Sequence, residues 1–296
     1  MGHDIMDEFP EVKKIFELVD DICQKPISKL CVEGPLDELT LTVNLQPAVT
    51  AVNLACLTAL HESGINASIS GGHSLGEYSA LTSAGIITNE DALRLVKKRG
   101  ELMHRESLSN SGVMAAVLGM DIDTLGEIVT RASESGVLAI ANHNTAEQIV
   151  ITGEEESISH AVNLIKETGG RARPLPVSGA WHCSLMENAV SEFRQFMDAI
   201  PFSKPETTML FNATAEIEDN PETIKDIMAQ QLTSPVKWYD VILNMLEGEV
   251  GIFVEVGPKK VLTGMLNRII PSDSEAKVYN VEDMKSLNHL LEDLSS

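Results

Sequence analysis

Positive charge is what this sequence has least of. Lys and Arg number 22 against 44 Asp and Glu, which leaves a net charge of −22. That balance argues against nucleic acid and against an anionic membrane surface as partners, because both are polyanions. Cysteine is sparse as well. Cys23, Cys31, Cys56 and Cys183 show no C-x-x-C spacing, so they read as reduced thiols of a cytoplasmic protein, with no metal site. The amino-terminal end is not a secretory signal, since Asp4, Asp7 and Glu8 interrupt it early. No apolar run approaches the roughly 18 residues needed to span a bilayer. Internal repeats and low-complexity tracts are absent.

The 296 residues are 43% hydrophobic, enough for one large core or a core with a satellite domain. Residues 8–24 place Val12, Ile15, Phe16, Val19 and Ile22 on one helical stripe. Pro26 opens a short turn region. Residues 45–61 read as a helix apolar on nearly all sides, hence buried. A short strand at 67–70 precedes a helix at 75–83, and a longer helix follows at 89–106, with Thr88 or Asn89 as its cap. From 113 to 177 the order becomes strand, helix, strand, strand, helix, strand, the ferredoxin-like βαββαβ arrangement. Helices are then expected at 184–200, 222–231, 237–245 and 283–294, and strands at 207–211, 251–256 and 277–280. The strand at 251–256 is almost continuously apolar, as inside a parallel sheet.

One stretch organises the rest: Gly72-His73-Ser74-Leu75-Gly76. A G-x-S-x-G pattern sets a serine on a strand-to-helix elbow, with glycines where a Cβ would clash. The serine hydroxyl then sits at a helix amino terminus, where negative charge is stabilised, and the backbone N–H of Leu75 points at a developing oxyanion. Taken alone, the pattern marks an ordinary turn serine more often than a nucleophile. His182 is one of eight histidines, and by spacing alone a histidine in an apolar stretch is more often structural than a base. Arg99 could be one more charge on a solvated Lys97-Lys98-Arg99 face. Gln46 before Pro47 could simply start a helix.

Further segments narrow these choices. Gly72-His73-Ser74-Leu75-Gly76-Glu77 resembles the nucleophile motif of the malonyl-CoA:acyl carrier protein transacylases. In the same order come Leu45-Gln46-Pro47-Ala48, Lys98-Arg99-Gly100-Glu101-Leu102-Met103, and Ala141-Asn142-His143-Asn144 with Gln148 to Gly153. Val177 to Met186, Gln231-Leu232 with Pro235-Val236 and Trp238, and Glu255-Val256-Gly257-Pro258 follow. The likeness runs over nearly the whole chain. It implies an α/β fold: a large α/β-hydrolase-like domain with a parallel sheet, from residues 1–111 and 176–296, and an inserted small ferredoxin-like α+β domain at 112–175.

The resemblance also implies roles. Ser74 would be the nucleophile and His182 its base, with Leu75 donating its backbone N–H to the oxyanion. Arg99 would bind the free carboxylate of a malonyl group, for which a guanidinium fork is suited. The Gln231 carbonyl would orient the imidazole, and Gln46 would line the acyl cavity. The substrate would be malonyl-CoA and the partner an acyl carrier protein, whose phosphopantetheine thiol accepts the group. No cofactor or metal would take part. Carrier proteins are themselves acidic, so a local basic patch is needed, and Lys97-Lys98, Arg171 with Arg173, and Lys259-Lys260 are the candidates. Where family members often have phenylalanine before the histidine, this chain has Trp181, which would favour malonyl over branched methylmalonyl groups.

One family element has no counterpart. Members usually open with an apolar strand and a G-Q-G-S-Q loop whose glutamine contributes to the oxyanion hole. Met1-Gly2-His3-Asp4 resembles the segment just after that loop. Two other readings therefore stand beside acyl transfer: a serine esterase of the α/β class, and a catalytically impaired carrier-binding relic.

Overall fold

A computed structural model describes residues 1–295. In chain order the elements are α1 (His3–Glu8), α2 (Pro10–Cys23), α3 (Ile27–Glu33), α4 (Leu36–Leu39), α5 (Thr42–Glu62), β1 (Ile69–Ser70), α6 (Gly76–Ser83) and α7 (Asn89–Ser109). Next come β2 (Val113–Leu118), α8 (Ile122–Ala132), β3 (Leu138–Thr145), β4 (Gln148–Gly153), α9 (Glu155–Glu167) and β5 (Arg171–Pro174). The remainder is α10 (Glu187–Asp198), β6 (Thr208–Met209), α11 (Pro221–Gln230), α12 (Trp238–Glu247), β7 (Ile252–Val256), α13 (Val261–Ile269), β8 (Lys277–Val281) and α14 (Met284–Ser295). Two compact units result. The first joins residues 1–101 and 200–210 with the chain from Met245 onward; the second joins 102–199 with 211–244.

The first unit is built around α5, which packs against α2, α3 and α6. α2 buries Val12, Ile15, Phe16, Val19 and Cys23, the stripe its spacing requires, and starts on Pro10, where a missing N–H costs nothing. α5 begins at Thr42, three residues before its expected start. Pro47 therefore lies inside it, where it cannot bond back to the carbonyl four residues earlier. By length and composition α5 could cross a membrane, contrary to the expectation from apolar runs. However, 78% of its most apolar window is buried inside the fold, as befits a core helix. The stretch that Pro26 opens, expected to be a short turn region, holds α3 and α4.

Parallel pairing occurs here as expected. β1 runs parallel to β6 (Ile69 opposite Thr208), and β7 runs parallel to β8 (Ile252 opposite Lys277). The pairs form two short sheets, and each strand connection passes through helices, as parallel neighbours require. α13, which the sequence did not reveal, bridges β7 and β8 and packs on β8.

In the second unit β2 to β5 form one antiparallel sheet ordered β3-β4-β2-β5. With α8 and α9 this is the expected βαββαβ arrangement. One face is dry: Ala115, Val117, Ile149 and Ile151 from the sheet meet Leu125, Ile128, Ala161 and Ile165 from the helices. On the other face Met114, Ala141 and Val150 pack with Leu175 and Trp181. Trp181 is thus part of that packing, and its indole also abuts Gly179. Arg194 ties α10 to α11 through Glu222 and Asp226 and pairs with Asp198 on its own helix.

All four cysteines are free and buried. Burial pushes the Cys23 and Cys31 thiols up to about 11 and Cys56 to about 12, and raises Cys183 as well.

Candidate active site

Ser74 sits between β1 and α6, half-buried, with φ of 49°. A non-glycine residue in this left-handed region is strained, and such strain concentrates where a side chain must be presented at a fixed angle. Backbone bonds tighten the turn: Gly76 N–H donates to the His73 carbonyl at 2.9 Å and Glu77 N–H to the Ser74 carbonyl at 3.2 Å. The Leu75 N–H makes no hydrogen bond among the described residues, which leaves it available to an oxyanion. Only one of the two motif glycines is sterically required. A Cβ on Gly72 would lie 2.1 Å from the Gly76 carbonyl carbon, whereas a Cβ on Gly76 would meet nothing within 4 Å. Because backbone cannot swing aside, Gly72→Ala should destabilise the protein by about 3 kcal/mol or more. Gly76→Ala should cost no more than about 1 kcal/mol. Denaturant midpoints of the two variants measure the difference.

α7 delivers Arg99 to this elbow. Its neighbour Gly100 lets α7 approach α5 closely: a Cβ there would stand 3.1 Å from the Thr42 carbonyl oxygen. Arg99 is 2% exposed, so it is not part of a solvated Lys97-Lys98-Arg99 face. Its Nη1 donates to Gln46 Oε1 at 2.9 Å and its Nη2 to Ser74 Oγ at 3.1 Å. The guanidinium carbon lies 5.7 Å from the centre of the Tyr78 ring. Burial pulls the guanidinium below its usual value, while Tyr78 and Glu77 act in the opposite direction. Burial also pushes the Tyr78 phenol well up, so it is a neutral neighbour. Gln46, buried on α5, therefore braces the arginine, a role the sequence could not reveal because the two residues are 53 positions apart.

His182 lies in the second unit, 4% exposed, with φ of 62°. Its Nδ1 is 2.9 Å from the Gln231 carbonyl oxygen and 3.1 Å from that of Ser234. Carbonyls only accept, so Nδ1 must carry the proton and Nε2 is left as the basic nitrogen. Gln231 caps the carboxyl end of α11, where the partial negative charge of a helix favours an imidazolium. The Ser234 contact to His182 is one that sequence reasoning missed, since a backbone carbonyl leaves no side-chain signature. Cys183 faces Thr152 and the Ala180 carbonyl in the packed interior. The structure thus joins Ser74, Arg99 and Gln46 in the first unit, and His182 and Gln231 in the second.

Residues 1–290 match the acyl transferase domain family. The chain is 38% identical to the malonyl CoA-acyl carrier protein transacylase of Bacillus subtilis over 271 residues, 91% of this chain and 86% of that protein. It belongs to the malonyl-CoA:acyl carrier protein transacylase family. Another member, from Escherichia coli K12, is 35% identical over 90% of this chain and 87% of its own length. The crystal structure of the Clostridium perfringens transacylase superposes with a TM-score of 0.93 at 37% identity, covering 100% of this chain and 92% of that one. A malonyl-transacylase solved in complex with a type II polyketide synthase acyl carrier protein superposes with a TM-score of 0.92 at 34% identity, covering 98% of this chain and 94% of that one. Family and fold therefore agree with the resemblance carried by the motifs.

Proposed function

We propose that this chain moves a malonyl group from malonyl-CoA to the phosphopantetheine thiol of an acyl carrier protein, in fatty-acid or polyketide synthesis. The observation that carries the reading is the buried Arg99 guanidinium with one nitrogen 3.1 Å from Ser74 Oγ. A serine hydrolase with no preference for acidic acyl groups has no use for a buried cation beside its nucleophile. A malonyl ester on Ser74 would bring its free carboxylate to that cation.

In the first half-reaction Ser74 Oγ attacks the thioester carbonyl as His182 Nε2 takes its proton. The Leu75 N–H stabilises the oxyanion, the C–S bond breaks, and coenzyme A leaves with the proton returned by His182. In the second, His182 draws the proton from the carrier thiol, sulfur attacks the ester, and Ser74 recovers its hydrogen. Only Ser74, His182 and the backbone take part in proton and acyl movement, and neither metal nor redox cofactor is needed. The hydrolase alternative calls for a carboxylate on His182 Nδ1; the two backbone carbonyls there speak against it. We also retain 112–175 as the inserted subdomain within a large domain of 1–111 and 176–296, a division supported by the βαββαβ unit from Val113 to Pro174. Buried, unpaired thiols accord with a cytoplasmic location.

The test is the intact mass of the protein after brief incubation with malonyl-CoA, then again after addition of phosphopantetheinylated carrier. A malonyl adduct on Ser74 that the carrier removes supports the reading. An adduct lost to water at the same rate without carrier indicates a hydrolase, and no adduct indicates the impaired relic. Arg99→Ala removes hydrogen bonds to a charged group worth about 1.5–3 kcal/mol. Malonyl transfer should drop by about 10- to 150-fold, while acetyl transfer changes little, as competition between the two thioesters would reveal. Unchanged selectivity would defeat the role given to Arg99.

A further inference from the structure

Two carbonyls accept from the His182 imidazole, and they are anchored differently. Gln231 ends α11, and its own N–H donates to the Ile227 carbonyl at 2.9 Å. Ser234 lies three residues further on, in the loop between α11 and α12. Its N–H reaches back to the Gln230 carbonyl at 3.0 Å. Beyond its carbonyl the support comes from elsewhere. Pro235 has no N–H to donate, so Val236 is the next backbone donor. Val236 is buried and pairs with Asn142 in an isolated parallel bridge on the outer edge of β3. The Val236 N–H donates to the Ala141 carbonyl at 2.8 Å, and the His143 N–H donates to the Val236 carbonyl at 2.9 Å. The register of β3 against β4 slips between Ile140 and Asn142 and again between His143 and Thr145. Such irregularities bend a strand and re-aim its groups, and they collect beside active sites. A single bridge is weak support, because two backbone bonds gain little over the bonds water would make. Side chains reinforce it. The His143 ring lies 4.9 Å from the Tyr239 ring at an angle of 54°, a spacing at which aromatic pairs attract. Tyr239 stands in the first turn of α12, three residues past Val236, and both rings are half-buried. Burial lowers the His143 imidazole from its usual value while Asp240 acts in the opposite direction, so the ring is neutral at neutral pH.

We propose that His143 and Tyr239 are positioning residues for His182, clamping the loop whose Ser234 carbonyl accepts from its Nδ1. The proposal rests on the reading of His182 as the base and names what aims it. Neither ring moves a proton or an acyl group. When Nε2 takes the proton from Ser74, the imidazole becomes an imidazolium. A hydrogen bond from a charged donor is about twice as strong as one from a neutral donor. The Ser234 carbonyl therefore favours the charged ring and makes Nε2 a better base. If the loop drifts, Nδ1 keeps the Gln231 carbonyl alone, and the imidazolium loses support. The base is then weaker, and it loses its proton at a lower pH.

The experiment compares wild type with Tyr239→Leu, His143→Ala and His143→Phe. Rapid-quench acylation by saturating malonyl-CoA is followed across the pH range in which histidine titrates, and amide exchange at Val236 reads the loop directly. Tyr239→Leu and His143→Ala should acylate about tenfold more slowly. The acid limb of their rate profiles should move down by about half a pH unit. Exchange at Val236 should be about tenfold faster. His143→Phe keeps a ring opposite Tyr239 and removes the titrating group, so it should stay within about twofold of wild type in all three. Tyr239→Leu keeps His143, so its shifted limb cannot come from loss of that group. If one of these two variants fails to fold, the other carries the comparison. A purely structural role would lower the melting temperature and leave the acid limb in place. That result overturns the proposal, as does unchanged exchange at Val236 or a His143→Phe variant as slow as His143→Ala. A wild type that forms no acyl-enzyme at any pH would sink the transfer reading, while exchange at Val236 would still decide whether the rings hold the loop.

Discussion

Ser74→Ala should give a folded protein that shows no mass adduct after exposure to malonyl-CoA and no transfer to carrier above background. The substitution removes the single atom that forms the ester, so no rescue by pH or by concentration is expected. Folding should be little affected. Alanine meets the same left-handed backbone demand as serine at φ 49°. One hydrogen bond from Arg99 is lost, for a change in stability of about 1 kcal/mol. Thermal melting separates the two effects. A retained adduct, with peptide mapping that places it on another residue, would remove Ser74 from the mechanism.

His182→Ala should slow acyl-enzyme formation by about 10²- to 10⁴-fold, the usual contribution of a positioned base. This variant has a second consequence. The Gln231 and Ser234 carbonyls each lose their partner at Nδ1. Losing hydrogen bonds at this largely buried position costs about 1–3 kcal/mol, so the melting temperature should fall as well. His182→Asn distinguishes the causes: its amide N–H can still donate to a carbonyl, but it cannot take a proton from Ser74. Recovery of stability without recovery of rate is the expected pattern. Single-turnover quench measurements that find acylation within a few-fold of wild type would show that another group serves as base.

Local chemistry explains which parts of this molecule could be read in advance. The βαββαβ unit was legible because its strands and helices differ in hydrophobic period, and α8 and α9 bury the face that their spacing requires. The elbow was legible because a glycine at 72 is required by backbone sterics within five residues. α13 was not: it follows Gly257-Pro258 and contains Gly264, both signals of loop rather than helix. α3 and α4 were hidden by Pro26 and by the Gly34-Pro35 pair in the same way. At the site, Ser74, Arg99, His182 and the Gln231 carbonyl could be nominated from motifs, but the bracing by Gln46 and the Ser234 carbonyl on His182 depend on contacts between distant positions. One of those partners is backbone, which any residue type would supply.

The four sequestered sulfhydryls have a practical corollary. With values near 11 to 12 for Cys23, Cys31 and Cys56, on the order of one in ten thousand or fewer of these three is ionised at neutral pH, and burial raises Cys183 as well. The leaving group of the first half-reaction is an ordinary aliphatic mercaptan in free solution. A disulfide-exchange chromophore added to the cuvette would therefore count released coenzyme A and remain blind to the enzyme.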